Sequence, residues 1–439
     1  MKTPRQNDIR FRSKVFERIM LIVLFFCGID AYGQGEIKIV LDEEKDQYLK
    51  VSGSMQFWLR HTSLNPGSQI NNSEESSVVD LSIRRYRIKF SGKAHEKLSY
   101  NFELGNNDLN YNNADRNTPH ILDAYIDYQF HKNLAFGVGK HAWAGLSRYG
   151  APSSTTALGH DLDFVAAPYV MIYDDILRRM AIYTRGTLGN ADFRFVLAKP
   201  SVNKNTTTIG ANARFGDRTP EYQFSGYVKY QFLDKESQKS PFSSGSYLAK
   251  KNILNLGVGT MYQPNTTWYL EGSDSVYHNA TSLAADLFYE KMLPKNRGIT
   301  IYLAYLHHDL GRNFVRYMGA NNPAQSALPT EFVNGKGNNV PVVGTGSILY
   351  TQIGYIRPAD SNNSTQIQPY ATVQYSKFDA FSEAVLTYGG GVNYFIKGHK
   401  SKITLGYQNR PVFKTTEHLV VEGMRKNMFV LQYQILFGE

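Results

Sequence analysis

Cysteine, long apolar runs and catalytic signatures are what this chain lacks. One cysteine in 439 residues, Cys27, excludes a disulfide scaffold and any cysteine-built zinc module. After the first 33 residues no stretch holds even a dozen consecutive apolar residues, which excludes a helical membrane protein, whose spans need about 20. Neither an HExxH metal motif nor a serine nucleophile elbow is present. Disorder is excluded as well: 42% of residues are apolar, 13% are aromatic, and charges of both signs are interspersed. Length alone would suggest two to four soluble domains.

Residues 1–33 read as a secretory signal peptide. Arg5, Arg10, Arg12, Lys14 and Arg18 form a basic leader, residues 19–29 an apolar core, and Ala31-Tyr32-Gly33 a small-x-small cleavage site. Cys27 follows Leu24-Phe25-Phe26, without the small residue that normally precedes a lipidated cysteine, so no lipid anchor is expected. Residues 34–47 are expected to form a short periplasmic segment and residues 48–439 the folded body.

What the mature chain has is alternation with period two. Leu122-Asp123-Ala124-Tyr125-Ile126-Asp127-Tyr128-Gln129-Phe130 and Phe429-Val430-Leu431-Gln432-Tyr433-Gln434-Ile435-Leu436-Phe437 each place apolar groups on one face and polar groups on the other. Sixteen such runs start near residues 48, 80, 98, 120, 134, 178, 191, 220, 252, 281, 299, 347, 366, 388, 402 and 427. Each is about 9–12 residues, the length at which a tilted strand crosses a bilayer. Connectors after even-numbered runs are mostly short. Those after odd-numbered runs are mostly long, including 37 residues at 141–177 and 36 at 311–346. The connector near residues 234–251 is long for its side. A bilayer core cannot satisfy exposed backbone groups, so a sheet crosses it only when closed on itself. The expected fold class is therefore all-β, a transmembrane antiparallel barrel of about 16 strands with long external loops and short periplasmic turns. A soluble sandwich, propeller or solenoid is the competing architecture. Against it stand the charged polar face, the aromatics near strand ends, and the absence of a blade-like period.

Several blocks resemble a known family. They include Arg84-Arg85-Tyr86-Arg87-Ile88-Lys89-Phe90, Phe136-Gly137-Val138-Gly139-Lys140-His141, Trp143-Ala144-Gly145-Leu146-Ser147-Arg148, Asn313-Phe314-Val315-Arg316-Tyr317-Met318-Gly319 and Gln368-Pro369-Tyr370-Ala371-Thr372-Val373. The chain is similar in these to the phosphate-selective porin O and P-like family of Gram-negative outer-membrane porins. The resemblance implies a sixteen-stranded barrel, a homotrimer, and a third external loop folded inward as a constriction. It also implies a cluster of lysines at that constriction in phosphate-selecting members. Here the loop at 141–177 contains no lysine, Lys140 only precedes it, and its acids outnumber its arginine.

Sixteen strands enclose a water-filled lumen. In the second run Tyr86, Ile88 and Phe90 belong to the lipid face, which points Arg85, Arg87 and Lys89 inward. Arg60, Arg185, Arg194 and Lys229 join the same wall by parity. Such basic rings favour anions, and Arg matches oxyanions bidentately. A mixed-charge lumen is the plain alternative, since Glu103, Asp123 and Asp127 lie on nearby strands. Trp143, Ser147, Arg148 and Tyr149 are the candidate constriction residues.

The expected function is passive diffusion of small hydrophilic solutes and ions through an outer-membrane channel with an anion preference. No cofactor, metal ligand set or catalytic residue is called for. Partners would be outer-membrane lipid and lipopolysaccharide, further copies of the chain in a homotrimer, and the solute; nucleic acid is not expected. Two alternatives remain open at this point. One is a barrel with hydrolase activity, for which His307-His308-Asp309 is the candidate. The other is a surface-binding or structural barrel without transport.

Overall fold

Alternation of side chains across a strand, repeated sixteen times, produces one continuous antiparallel sheet. A computed structural model describes residues 36–112, 118–161, 177–199, 210–216, 218–219, 221–360, 365–417 and 419–438. Residues 1–33, read above as a signal peptide, lie outside the described residues. The strands are β1 (Gln47–Ser63), β2 (Ser77–His95), β3 (Leu98–Leu109), β4 (His120–His131), β5 (Leu134–His141), β6 (Arg179–Leu188), β7 (Ala191–Lys199) and β8 (Gln223–Gln231). They continue as β9 (Ile253–Glu271), β10 (Asp274–Leu293), β11 (Arg297–Asp309), β12 (Gly346–Pro358), β13 (Gln366–Phe378), β14 (Val385–Phe395), β15 (Ser401–Thr416) and β16 (Leu419–Phe437). Each pairs with its neighbours in sequence, and β16 returns to β1 from Gly53↔Phe437 to Thr62↔Met428, closing the barrel. Below that seam a short strand, Ile37–Asp42, continues the pairing of β1, with Ile37 opposite Val51.

The two faces of the sheet differ in chemistry. Ile126, Phe136, Ile182, Val258, Leu349 and Leu405 stand exposed on the outer face. Aromatic pairs gather near strand ends, Phe130 against Phe136 at 6.2 Å and Tyr230 against Phe232 at 4.8 Å. An apolar belt of this extent on a closed sheet is a surface for hydrocarbon rather than for water. The inner face carries Gln56, Arg60, Arg85, Asp123, Asp127, Arg194 and Gln434, all buried.

Two features depart from simple alternation. In β2 a bulge sets Gln56 opposite Arg85 but Phe57 opposite Ile83, and the extra residue, Arg84, turns inward beside Arg85. The second concerns connector length. Turns at 96–97, 132–133, 189–190 and 294–296 are short, but on the opposite side β9 runs to Glu271 and β10 resumes at Asp274. The long connector expected there is instead a strand extension closed by a tight turn. The same holds where β15 reaches Thr416 and β16 begins at Leu419.

The outer face supports a direct test. Val258 is 61% exposed in the middle of the β9–β10 ladder. Val258→Arg is expected to cost about 2–4 kcal/mol if this face meets lipid, read as a lowered urea midpoint for folding into bilayers.

Candidate functional site in the barrel interior

Two segments enter the barrel from opposite ends and meet inside it. The first is the connector between β5 and β6, described at residues 142–161 and 177–178. It follows the inner wall for most of a circuit. Gly145 lies against Ser225 and Gly226 of β8, and Leu146 presses on Gly259 of β9. The Arg148 amide donates to Asp286 of β10 at 2.6 Å, and Tyr149 packs on Tyr302 of β11 at 4.1 Å. Leu158 covers Gly354 of β12, and His160 covers Gly406 of β15 and contacts Trp58 of β1. Asp161 finally pairs with Arg84 and Arg85 of β2. A Cβ at Gly259 would overlap the Leu146 backbone, so glycine is what lets chain pass this close to the wall.

The wall itself is divided. On β9 to β12 the inner face is mixed, and its apolar members Ile253, Phe288, Tyr302, Leu306 and Ile348 are buried in one cluster with Leu146, Tyr149 and Ala151. That quadrant anchors the inserted chain by burial. Around β1 to β4 and β6 to β8 the inner face is charged.

The second segment, residues 232–252, joins β8 to β9 on the side of the short turns. It is the connector that was long for its side, and it folds inward. Ser153 donates to the Ser243 carbonyl and Ser243 to the Ala151 carbonyl, both at 2.9 Å, so the two insertions share a short ladder. Arg194 donates to the carbonyls of Ser147 and Pro241, one on each insertion, at 3.3 Å. Glu236 is the hub. Its carboxylate receives Arg148 from the first insertion, Lys229 of β8 at 2.9 Å, the Tyr247 hydroxyl at 2.7 Å and the Asn255 amide at 2.7 Å. The Arg148 guanidinium also donates to the Ser244 carbonyl at 2.7 Å and lies 3.7 Å over the Phe288 ring. Two cations facing one buried carboxylate hold Glu236 well below the usual carboxylate range, although burial alone would raise it.

The wall cations are placed as follows. Arg60 pairs with Asp80 at 2.6 Å and donates to the carbonyls of Ala320 and Asn321, in the connector between β11 and β12. It thereby ties that connector across the mouth to β1. Arg85 reaches Asp161 and Gln56. Arg87 contacts Glu103 at 3.3 Å and Asn107. Arg185 holds Asp127 bidentately at 2.7 and 3.0 Å. Arg194 lies 4.9 Å over Tyr227, and Lys229 reaches Asp192 at 3.5 Å as well as Glu236. All seven sequence-derived wall residues point inward, and six are matched by carboxylates or carbonyls. Lys89, the seventh, has no such match among the described residues.

The four constriction candidates sit differently from expectation. Trp143 stacks on Tyr183 at 5.1 Å, and Ser147, Arg148 and Tyr149 are buried against the wall. They fasten the inserted chain. The residues it presents to open space are Pro152 to Thr156, which line a cavity of about 250 Å³ together with Arg85, Arg87, Lys89 and Glu103 of the wall. Asp163, Asp174 and Asp175 lie outside the described residues. Sequence reasoning missed Arg84, Arg178 and Glu236. Arg178 bridges Glu103 at 2.8 Å and Asp123 at 3.2 Å. The only available signal was the excess length of the second insertion. His307-His308-Asp309 does not assemble into one site. His307 faces outward to Ser347, His308 faces inward to Ser282, and Asp309 pairs with His278 at 2.8 Å.

Comparison with known proteins agrees with this geometry. The family described as phosphate-selective porin O and P matches residues 58–149, from β1 into the first insertion. No curated protein matches the chain. Among solved structures, Salmonella typhi OmpF in complex with daunomycin is 9% identical, with a TM-score of 0.51 over 91% of this chain and 100% of that one. The outer membrane channel DcaP of Acinetobacter baumannii is 11% identical, with a TM-score of 0.50 over 92% and 100%. Pseudomonas putida OprB is 8% identical, with a TM-score of 0.51 over 89% and 94%. At these identities the likeness is one of fold.

Two outcomes are expected from the insertions. Glu236→Gln leaves Arg148 buried without its counter-ion, a loss of about 3–5 kcal/mol for such pairs. Amide exchange should then quicken in residues 142–161 and 232–252 together; acceleration in only one would show that Glu236 does not join them. The second concerns acid. Burial pushes His160 down from 6.5 to about 4. Its neutral form is favoured in the fold, so its stabilising contribution is complete above pH 6.5 and is lost as pH falls from 6.5 to about 4. Fluorescence of Trp58, 5.8 Å from His160, should change in the folded protein as pH falls through about 4, and not in His160→Gln.

Proposed function

We propose that this protein is an outer-membrane porin, a passive diffusion channel for small hydrophilic solutes with a mild anion preference. The observation that carries the reading is the closed sixteen-stranded sheet with an apolar exterior and a polar, charged interior narrowed by inserted chain. The family match over residues 58–149 supports it. Membership of that porin family is part of the proposal.

In this reading residues 1–33 direct export, residues 34–47 lie on the periplasmic side, and residues 48–439 form the channel body. Arg60, Arg85, Arg87, Lys89, Arg185, Arg194 and Lys229 line the pore. Trp143, Ser147, Arg148 and Tyr149 secure the constricting segment, and its Pro152 to Thr156 stretch faces the solute. The protein assembles as a homotrimer in contact with lipid and lipopolysaccharide. A groove of about 730 Å³ on the outer face, lined by Ile126, Phe136, Ile182, Phe195 and Phe224, offers apolar surface for such contacts. The channel is non-enzymatic. Its solute moves down its own gradient, and the His307-His308-Asp309 run is split between the two faces.

Balance between cations and carboxylates makes the predicted selectivity modest. Reconstituted into planar bilayers, the protein should give stable ohmic steps, with a reversal potential of anion sign in a KCl gradient. Silent insertion would overturn the channel reading, and a cation-sign potential would overturn the preference.

A further inference from the structure

The geometry points to a subsite for a small hydroxyl-bearing monoanion, the size of one sugar ring, in the cavity between β1–β3 and the two insertions. It rests on the channel reading, since it specifies which solutes that channel retains.

The charge of the site follows from its ion pairs. Arg84 pairs with Asp108 and Asp161, Arg85 with Asp161, Arg87 with Glu103, and Arg178 with Glu103 and Asp123. Among the described residues these four arginines and Lys89 are five cations facing four carboxylates, a surplus of one positive charge. It resides on Lys89. Glu103 stands directly opposite Lys89 in the β2–β3 register, yet its carboxylate is taken by Arg87 and Arg178. Among the described residues no carboxylate lies within ion-pair distance of the Lys89 ammonium, and Lys89 lines the cavity. One surplus charge, surrounded by satisfied pairs that resist rearrangement, selects a single negative charge.

The remaining lining supplies hydroxyls. Ser52 and Ser54 of β1, Ser154 and Thr155 of the first insertion, and Ser240 and Ser244 of the second all border the space. The hydroxyls of Ser52, Ser54 and Ser154 make no hydrogen bond among the described residues, so each is available as donor and acceptor. Phe242 adds one apolar surface. The volume of about 250 Å³ lies below the roughly 300–1,000 Å³ of pockets for drug-sized ligands. Inorganic anions would leave most of these hydroxyls unmatched, and a neutral sugar would leave Lys89 unmatched. A sugar acid matches both.

Calorimetry on the detergent-solubilised full chain tests this without relying on conductance. Gluconate should bind at least tenfold more tightly than acetate, which has the charge alone, and than glucose, which has the hydroxyls alone. Lys89→Gln should weaken gluconate binding at least tenfold, and the double change Ser54→Ala with Ser154→Ala should weaken it severalfold while leaving acetate unaffected. Folding of each variant is checked by heat-modifiable migration. The comparison of the three probes on the unaltered protein stands even if a variant fails to fold. Equal binding of gluconate and acetate, or gluconate affinity unchanged in folded Lys89→Gln, overturns the subsite. Ohmic conductance without gluconate binding refutes the subsite and leaves the channel. Gluconate binding without conductance refutes the channel and leaves the subsite.

Discussion

The structure depends on one constraint: a sheet with an apolar outer face has to close before hydrocarbon can surround it. An open edge would expose a row of backbone donors and acceptors with no partner in a bilayer, at several kcal/mol for each group. The seam between β1 and β16 removes that edge. Where β16 ends at Phe437, the short strand Ile37–Asp42 takes over the pairing of β1. Closure also fixes register. With a side-chain period of two, a slip of one residue would send Arg85 and Arg87 outward and Tyr86 and Ile88 inward. Arginine near a bilayer midplane costs about 2–4 kcal/mol, so the basic run of β2 is itself strong evidence for which face is which.

Closure then creates a second problem, an interior too wide to fill with wall side chains alone. The protein fills part of it with chain. Its method differs around the circumference. On β9 to β12 apolar wall residues hold the first insertion by burial, and elsewhere charged residues hold it by pairing. Buried pairs contribute little net stability, because desolvation offsets attraction, but they are costly to break one partner at a time. They therefore suit position better than strength. Arg148 and Glu236 set the two insertions against each other, and Arg84, Arg85 and Asp161 set the far end of the first against β2.

Much of the barrel was legible in the sequence, because both of its surfaces impose the same period. Fourteen of the sixteen run starts lie within three residues of a strand start, those at 281 and 427 falling late because their strands extend further, and parity correctly separated Arg85 from Tyr86. The exceptions have physical reasons. Arg84 sits at a bulge, where counting by twos fails by one residue. The tight turn at 272–273 was hidden because strands above a bilayer need not be apolar on either face. Glu236 was invisible because Arg148, the cation it shares between the two insertions, lies 88 residues away in the chain. For the same reason the sequence showed that Trp143 and Arg148 lie in a long connector but not which way they face. Burial against the wall is decided by Tyr183 and Phe288, and nothing local announces it.

Pairing also changes what the basic wall means for solutes. Counted along the sequence, the inward cations suggest a strongly positive tube. Counted with their partners, most become dipoles, whose fields fall off faster than those of free charges. An anion entering the lumen meets a nearly neutral wall until it comes within a Debye length, about 8 Å at physiological ionic strength, of an uncompensated group. Among the described residues Lys89 is such a group, because Arg87 and Arg178 have claimed the carboxylate opposite it. Selectivity in this interior then depends on where uncompensated groups stand as well as on overall charge. Arginine bridging, by occupying carboxylates, determines where the surplus appears.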